Sequence, residues 1–493
     1  MTRLLFSCLA VATSACVLGA AVGTAAVGTA AAGTAASAGS PALLHYGQVT
    51  RQDVPTAPTS EADTVVEPDV GVSPRNADVA VAAAHDSRFA NGGAVGITYA
   101  WTHDGGKSWQ HRPVPKLTTA TGGRFDRASD PVVAFGPDGT AYLSTLLINV
   151  HGCRSAVAVS RSTDAGVTFA APVLVQQSGS CSYSDDKNWL VVDNGAASPH
   201  RGRLYQFWTP FIETKTYASS PQAVRFSDDH GRTWSKTYYV SGVRHGTQNS
   251  QPMILADGTL VDTFYDFGTG TQAPHPDVVG RGDSPGAAPS VVDPSGPIYA
   301  ARSRDGGKTW VEDAEVTNAG GGYAPGVRCC LFGADVDATT GRMYVVYNGG
   351  GGGGNTDPVE LSSSVDGRYW SAPVRVSTGD VAGVQRVNVD VVARGGRVYV
   401  SYGTRTRPRD DGGVVEQQLS VSTNHGLSFH APISIGPVSV LKYAARAGGY
   451  FPGDYIGSAI TAGRIFLVWA RSSRPTSSTS PYHQVIVGAT LRP

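Results

Sequence analysis

The chain has 493 residues, with 39 Lys plus Arg against 39 Asp plus Glu, and 61 Gly beside 30 Pro. Balanced charge removes any global pull toward nucleic acid or an anionic membrane surface, and no basic stripe interleaved with aromatics replaces it. The Gly and Pro content, with very few amphipathic helical stretches, fits short strands joined by many turns.

Residues 1–40 read as a signal peptide: a cationic start at Arg3, an apolar run from Leu4 to Val22, then a small-residue tract with cleavage-type sequences at Ala32–Ala35 and Ala36–Ala38. Cys16 follows Thr13, Ser14 and Ala15, which is not a lipobox. No later stretch approaches the roughly 18 apolar residues of a membrane span. The expectation is a secreted, extracellular protein with no integral membrane association after cleavage.

One short phrase then recurs six times: THDGGKSW from Thr102, STDAGVTF from Ser162, SDDHGRTW from Ser227, SRDGGKTW from Ser303, SVDGRYW from Ser364 and STNHGLSF from Ser422. The starts lie 60, 65, 76, 61 and 58 residues apart, a period that means an array of supersecondary units. Each unit has the same grammar. An apolar run such as Asp130–Phe135 precedes a Gly turn; a second run such as Gly341–Tyr347 follows; a third strand enters the phrase and a fourth leaves it. That is an all-β chain of four-stranded antiparallel blades, A to D, arranged radially as a β-propeller. The six phrases define six blades, with inner strands starting near Asn76, Asp130, Lys187, Ser250, Leu331 and Val387, and Asp454–Ile460 begins a further set without the phrase. Seven blades are favoured and six are the alternative. Residues 41–72 form an N-terminal segment in which a strand near Val65 is a candidate to close the ring, and residues 73–493 read as one propeller domain. Within the phrase, Ser and Asp side chains bond the turn, Gly takes the positive φ and the aromatic packs between strands, so its role is structural.

The phrase resembles the Asp box of the sialidase-like (BNR repeat) propellers, over nearly all of the mature length. In such a propeller the D-to-A and B-to-C loops share one face, and the boxes at the C-to-D turns lie on the other. A site in the central funnel is then built from residues just before each A strand. Those are Arg75 and Asn76; Asp126, Arg127 and Asp130; Asp185, Asp186 and Lys187; Gln248, Asn249 and Gln251; Arg328; Arg386 and Asn388; Asp454 and Tyr455. The B-to-C loops add His151, Arg154, Glu213, Arg405, Arg407 and Arg409.

Sialidases grip a substrate carboxylate with three arginines, and the resemblance implies Arg75, Arg328 and Arg386 for these. It implies Asp126 or Asp130 as acid/base and Tyr402, Tyr450 or Tyr455 as nucleophile, a neutral tyrosine avoiding repulsion with the substrate carboxylate. Its glutamate partner would be Glu213, then Glu360. The Arg-Ile-Pro signature of the family is absent around Arg75. The expected function is a glycoside hydrolase acting on an anionic, sialic-acid-like sugar, with Asp186, Lys187 and Gln251 among the substrate-binding groups. A non-catalytic carbohydrate- or protein-binding propeller and a polysaccharide lyase are the alternatives. No cofactor, metal or nucleic-acid partner is expected, and the protein reads as a monomer.

Four cysteines remain beyond the signal peptide, an even number that suits an oxidising compartment. Cys153 and Cys181 fall on funnel-face loops of adjacent blades and can pair, which leaves Cys329 and Cys330 as a vicinal pair.

Overall fold

The structure, a computed structural model, describes residues 41–493 apart from 151, 270–295, 322, 323, 325, 350–356, 407–411 and 477–479. Expectations placed on residues 1–40, His151, Arg407 and Arg409 lie outside the described residues.

Antiparallel sheets of four main strands follow one another along the chain. Their inner strands are Val65–Val72, Arg127–Phe135, Tyr183–Val192, His245–Ile254, Gly333–Val336, Val384–Arg394 and Gly457–Ile460. Each of these seven packs beside the next, and Gly457–Ile460 packs beside Val65–Val72, so the inner strands form a closed ring. The last sheet is composite: Gly457–Ile460, Ile465–Ser472 and Gln484–Arg492 take their outer strand from the other end of the chain, Ala42–Thr50. Ala42 stands opposite Arg492 and Thr50 opposite Ile486. Closure of this kind leaves only short outer edges unpaired.

The first blade differs from the sequence expectation. Its inner strand is Val65–Val72, and the run after Asn76, Ala80–Arg88, is its second strand. The propeller therefore begins at Ala42 rather than at residue 73, and the ring-closing strand is Ala42–Thr50 rather than one near Val65.

The boxes form the C-to-D turns. In the second box Ser162 Oγ donates to Asp164 Oδ1 (2.7 Å) and accepts the Gly166 amide (2.9 Å), while Asp164 Oδ1 accepts the Thr168 amide (2.9 Å). Gly166 has φ of 87°, and a Cβ there would stand 2.1 Å from Val81 Cγ2 of the preceding blade. The box aromatic is the rivet between blades. Phe169 meets Tyr99 edge-on at 4.9 Å, and Trp310 meets Phe207 at 5.9 Å. A-to-B turns share this face: Arg203, from the turn before Leu204–Glu213, donates to Gly306 O of the fourth box at 3.1 Å.

Candidate active site on the propeller axis

Five inner strands slip register at the same level: between Val66 and Asp69, Ser129 and Val132, Asp186 and Trp189, Gln248 and Gln251, and Val387 and Val389. At each slip a non-glycine residue takes the left-handed conformation: Glu67 (φ 53°), Asp130 (46°), Lys187 (42°), Asn249 (63°) and Asn388 (51°). L-residues pay about 1–2 kcal/mol for that conformation, so five at one level mark a position the fold demands. In blades four and six the occupant is Asn, and its side chain ties one blade to the next. Asn249 Nδ2 donates to Phe332 O (3.1 Å) and Asn388 Nδ2 to Gly453 O (2.9 Å). In blades one to three the same position carries Glu67, Asp130 and Lys187. Three consecutive departures from a scaffold amide to charged groups place the candidate site at the axis of these blades.

His85, from the second strand of blade one, joins two of them. Its Nδ1 lies 3.0 Å from Glu67 Oε2, and its Nε2 accepts the Asp130 amide at 2.7 Å, with Ser129 Oγ at 3.1 Å. Glu67 Oε1 accepts the amide of Asp454 (3.1 Å), whose carboxylate holds Arg328 at 2.7 and 3.2 Å. Asp186 accepts the Lys187 amide (2.8 Å) and Gln248 Nε2 (2.9 Å). Lys187 Nζ sits 3.8 Å from the centre of the Tyr455 ring and 4.7 Å from that of Trp189, a cation–π pocket. Among the described residues neither Lys187 Nζ nor the Tyr455 hydroxyl has a hydrogen-bond partner, although both are buried.

Electrostatics separates the carboxyls. Burial pushes Asp130 up to about 7; Lys187 opposes the shift, while Glu67 and Asp186 reinforce it. Burial likewise raises Asp69 to about 6, against the amides of Val133 and Val70. For Glu67 burial acts upward, yet His85, Arg88 and Arg328 together hold it below the ordinary carboxylate range. Tyr455 is pushed well above the usual phenol range by burial and by the surrounding acids, Asp130 first. One carboxyl near neutrality beside one held ionised is the division that acid/base work requires. A ligand atom from each of Glu67, His85 and Asp130 lies within 4.8 Å of the other two. Their contacts are to one another, however: the imidazole Nε2 is taken by an amide and Glu67 by the imidazole and Asp454.

Of the residues singled out from sequence, Asp130, Asp186, Lys187 and Tyr455 come together here, with Arg328 attached through Asp454. The others stand elsewhere. Arg75 lies in the turn after Val65–Val72, exposed on the Asp-box face, with Nη1 on Asp138 O at 3.2 Å; misplacing the inner strand of blade one put it in the funnel. Arg386 is buried and bonded to Asp380 Oδ1 and Thr378 O, both at 2.8 Å. The three arginines therefore do not converge as a carboxylate grip. Asp126 is exposed and accepts the Val150 amide at 3.0 Å, ordering a loop. Glu213 is exposed at the end of its strand, where its amide bonds Ser182 O at 2.9 Å. Gln251 is buried just beyond the slip in blade four, its carbonyl accepting Thr263 Oγ1 at 3.1 Å. Cys153 is bonded to Cys181, and Cys329 to Cys330. Glu67 and His85 are the members sequence reasoning missed. The phrase Glu67-Pro68 repeats Asp130-Pro131 after a short run of small or apolar residues, and that echo marks Val65–Val72 as an inner strand.

Residues 225–236, which contain the third box, match the family model of the BNR/Asp-box repeat. The chain is a β-propeller that carries the Asp-box repeat. No curated protein matches it. Among solved structures, this propeller is similar to an alpha-L-arabinofuranosidase of Fusarium graminearum in complex with arabinobiose, at 11% identity and a TM-score of 0.45, covering 91% of this chain and 98% of that one. It is also similar to a Hadza microbial sialidase, at 12% identity, 92% and 94% coverage and a TM-score of 0.45. A polysaccharide lyase, an ulvan lyase, is similar at 12% identity, 87% and 94% coverage and a TM-score of 0.48. At such identities the likeness concerns the fold, and the residues of the axial site must speak for its chemistry.

Proposed function

We propose that this propeller is a secreted carbohydrate-active enzyme, a glycoside hydrolase whose acid/base is Asp130. The observation that carries the reading is a carboxyl raised to about 7, with a tenth of its side chain open, on the axis of a propeller. A group titrating there both gives a proton to a leaving glycosidic oxygen and takes one back from water near neutral pH. Tyr455, which feels the Asp130 charge and carries Lys187 on its ring face, lines the same site. A sialic-acid-like substrate is the finer reading. It requires Arg328 and Arg386 to exchange Asp454 and Asp380 for the substrate carboxylate. Secretion is supported by the signal-peptide pattern and by the disulfides.

A second reading, a polysaccharide lyase, is favoured by the unpartnered Tyr455 hydroxyl beside an unpartnered ammonium, since elimination needs a base and a neutralised uronate. One assay separates the two. Mature protein is offered sialosides, arabinofuranosides, uronides and ulvan, and products are followed both by released sugar and by the ultraviolet absorbance of unsaturated uronides. Saturated product, with activity lower by about 10²-fold or more in Asp130→Asn, is the expected result. Unsaturated product moves the assignment to the lyase. No product from folded protein on any substrate overturns the enzyme reading in favour of a binding propeller.

A further inference from the structure

Glu67 and His85 are 3% and 1% exposed, too enclosed to meet a substrate. Their hydrogen bonds nonetheless have a direction. An amide N–H only donates, so His85 Nε2, which receives the Asp130 amide at 2.7 Å, must carry the lone pair. The ring proton then sits on Nδ1, 3.0 Å from Glu67 Oε2. Ser129 Oγ at 3.1 Å gives the trio the order of a serine–histidine–carboxylate acyl-transfer triad. That reading fails, because the single lone pair of Nε2 already belongs to an amide that cannot turn away. Ser129 Oγ points its proton instead to Asp130 Oδ1, 3.4 Å distant.

We propose that Glu67 and His85 are the positioning pair of the Asp130 site: Glu67 fixes the imidazole tautomer, and the imidazole holds the Asp130 amide and with it the left-handed backbone that aims the carboxyl. The pair also explains why Asp, at φ 46°, can occupy a place where blades four and six use Asn. In those blades the side-chain amide secures the bulge; here an imidazole from the neighbouring strand does so and leaves the carboxyl unspent. The charged groups facing Asp130 are Lys187, Glu67 and Asp186, beside the neutral imidazole of His85, with Arg88 and Arg328 acting on Glu67 from behind. The kinetic consequences rest on Asp130 being the acid/base proposed above; the spectroscopic ones do not.

The test starts with ¹⁵N-histidine-labelled protein, the His85 signals being those lost in His85→Phe. Expected are a protonated Nδ1, an unprotonated Nε2 and a scalar coupling from that nitrogen to the Asp130 amide across the N–H···N bond. A protonated Nε2 at neutral pH overturns the proposal. Glu67→Gln keeps an acceptor for Nδ1–H but removes the charge that raises Asp130. The Asp130 carboxyl, followed by ¹³C NMR, should then titrate about 1 unit below its wild-type position, and an unchanged titration refutes the pairing. In the enzyme, His85→Phe should lower kcat about 100-fold with KM within about twofold; wild-type kcat in this variant rejects the positioning role. Should His85→Phe fail to fold, Glu67→Gln and the wild-type nitrogen spectrum still decide. Should wild-type protein turn over no substrate, the tautomer and titration remain decisive, and only the functional reading falls.

Discussion

The third box allows the worth of its carboxylate to be separated from the worth of its geometry. Asp229 Oδ1 accepts the amides of Arg232 (3.0 Å) and Thr233 (2.9 Å), Oδ2 accepts Thr233 Oγ1 (2.6 Å), and Ser227 Oγ donates to Oδ1 (2.8 Å). Against a small upward push from burial, these donors hold Asp229 down from 3.8 to about 2. A shift of that size corresponds to about 2 kcal/mol at ~1.36 kcal/mol per unit, and screening of an exposed carboxylate leaves about 1 kcal/mol. The sign follows from a folded-state value below the unfolded one: the contribution is present above 3.8 and is lost as pH falls through about 2. Nature has made the comparison in the sixth box, where Asn424 Oδ1 accepts Ser422 Oγ (2.8 Å) and the Ser428 amide (3.1 Å), so an amide reproduces the shape without the charge. Asp229→Asn should therefore cost about 1 kcal/mol at neutral pH and progressively less toward pH 2. Ser227→Ala is different in kind. It strands the Gly231 amide, which Ser227 Oγ now accepts at 2.9 Å at a buried position, at about 1–3 kcal/mol that persists at low pH, with a smaller pH-dependent part from the lost donor to Asp229. The assay is urea unfolding at stepped pH for both variants. A pH-independent loss in Asp229→Asn, or a loss in Ser227→Ala that vanishes toward pH 2, would falsify the division.

Two further outcomes follow from other parts of the molecule. Lys187→Met removes the cation that holds Asp130 down, so the basic limb of the pH–rate profile should move upward from about 7; a downward move, or none, contradicts the assignment of Lys187 as the opposing charge. Replacing Cys153 and Cys181 together by Ala opens a loop of sequence separation 28, expected to cost about 3 kcal/mol in unfolding free energy through loop entropy. A loss below about 0.5 kcal/mol would mean that the adjoining blades order this loop without the bond.

Much of the architecture was legible because the boxes act as fixed marks: a turn with Ser, Asp and Gly at set spacing sits at the same corner of each blade, so strands can be counted from it. Asp130, Asp186, Lys187 and Tyr455 were reached in this way. Blade one escaped because its box tells nothing about how far upstream the inner strand lies, and Ala80–Arg88 is as apolar as an inner strand elsewhere. With Val65–Val72 unrecognised, Arg75 was carried to the wrong face and Glu67 and His85 were passed over. The remaining gap is chemical. Sequence shows that Arg328 and Arg386 are present, but not that Asp454 and Asp380 already hold them. The Arg328–Asp454 pair joins residues 126 apart and follows from the closed ring, which no local pattern encodes.

The seam between Ala42–Thr50 and Gln484–Arg492 also sets a timetable. The strand Ala42–Thr50 finds its partner only in Gln484–Arg492, after every other blade has been made. Until then both flanks of the incomplete circle display unsatisfied backbone groups, so premature termination yields an open, association-prone arc rather than a smaller working protein. The pairing of Ala42–Thr50 with Gln484–Arg492 makes the propeller a natural subject for circular permutation: a short linker from Arg492 to Ala42, with a new break at an exposed turn such as Ala338–Thr340, should preserve the blades while relocating the seam.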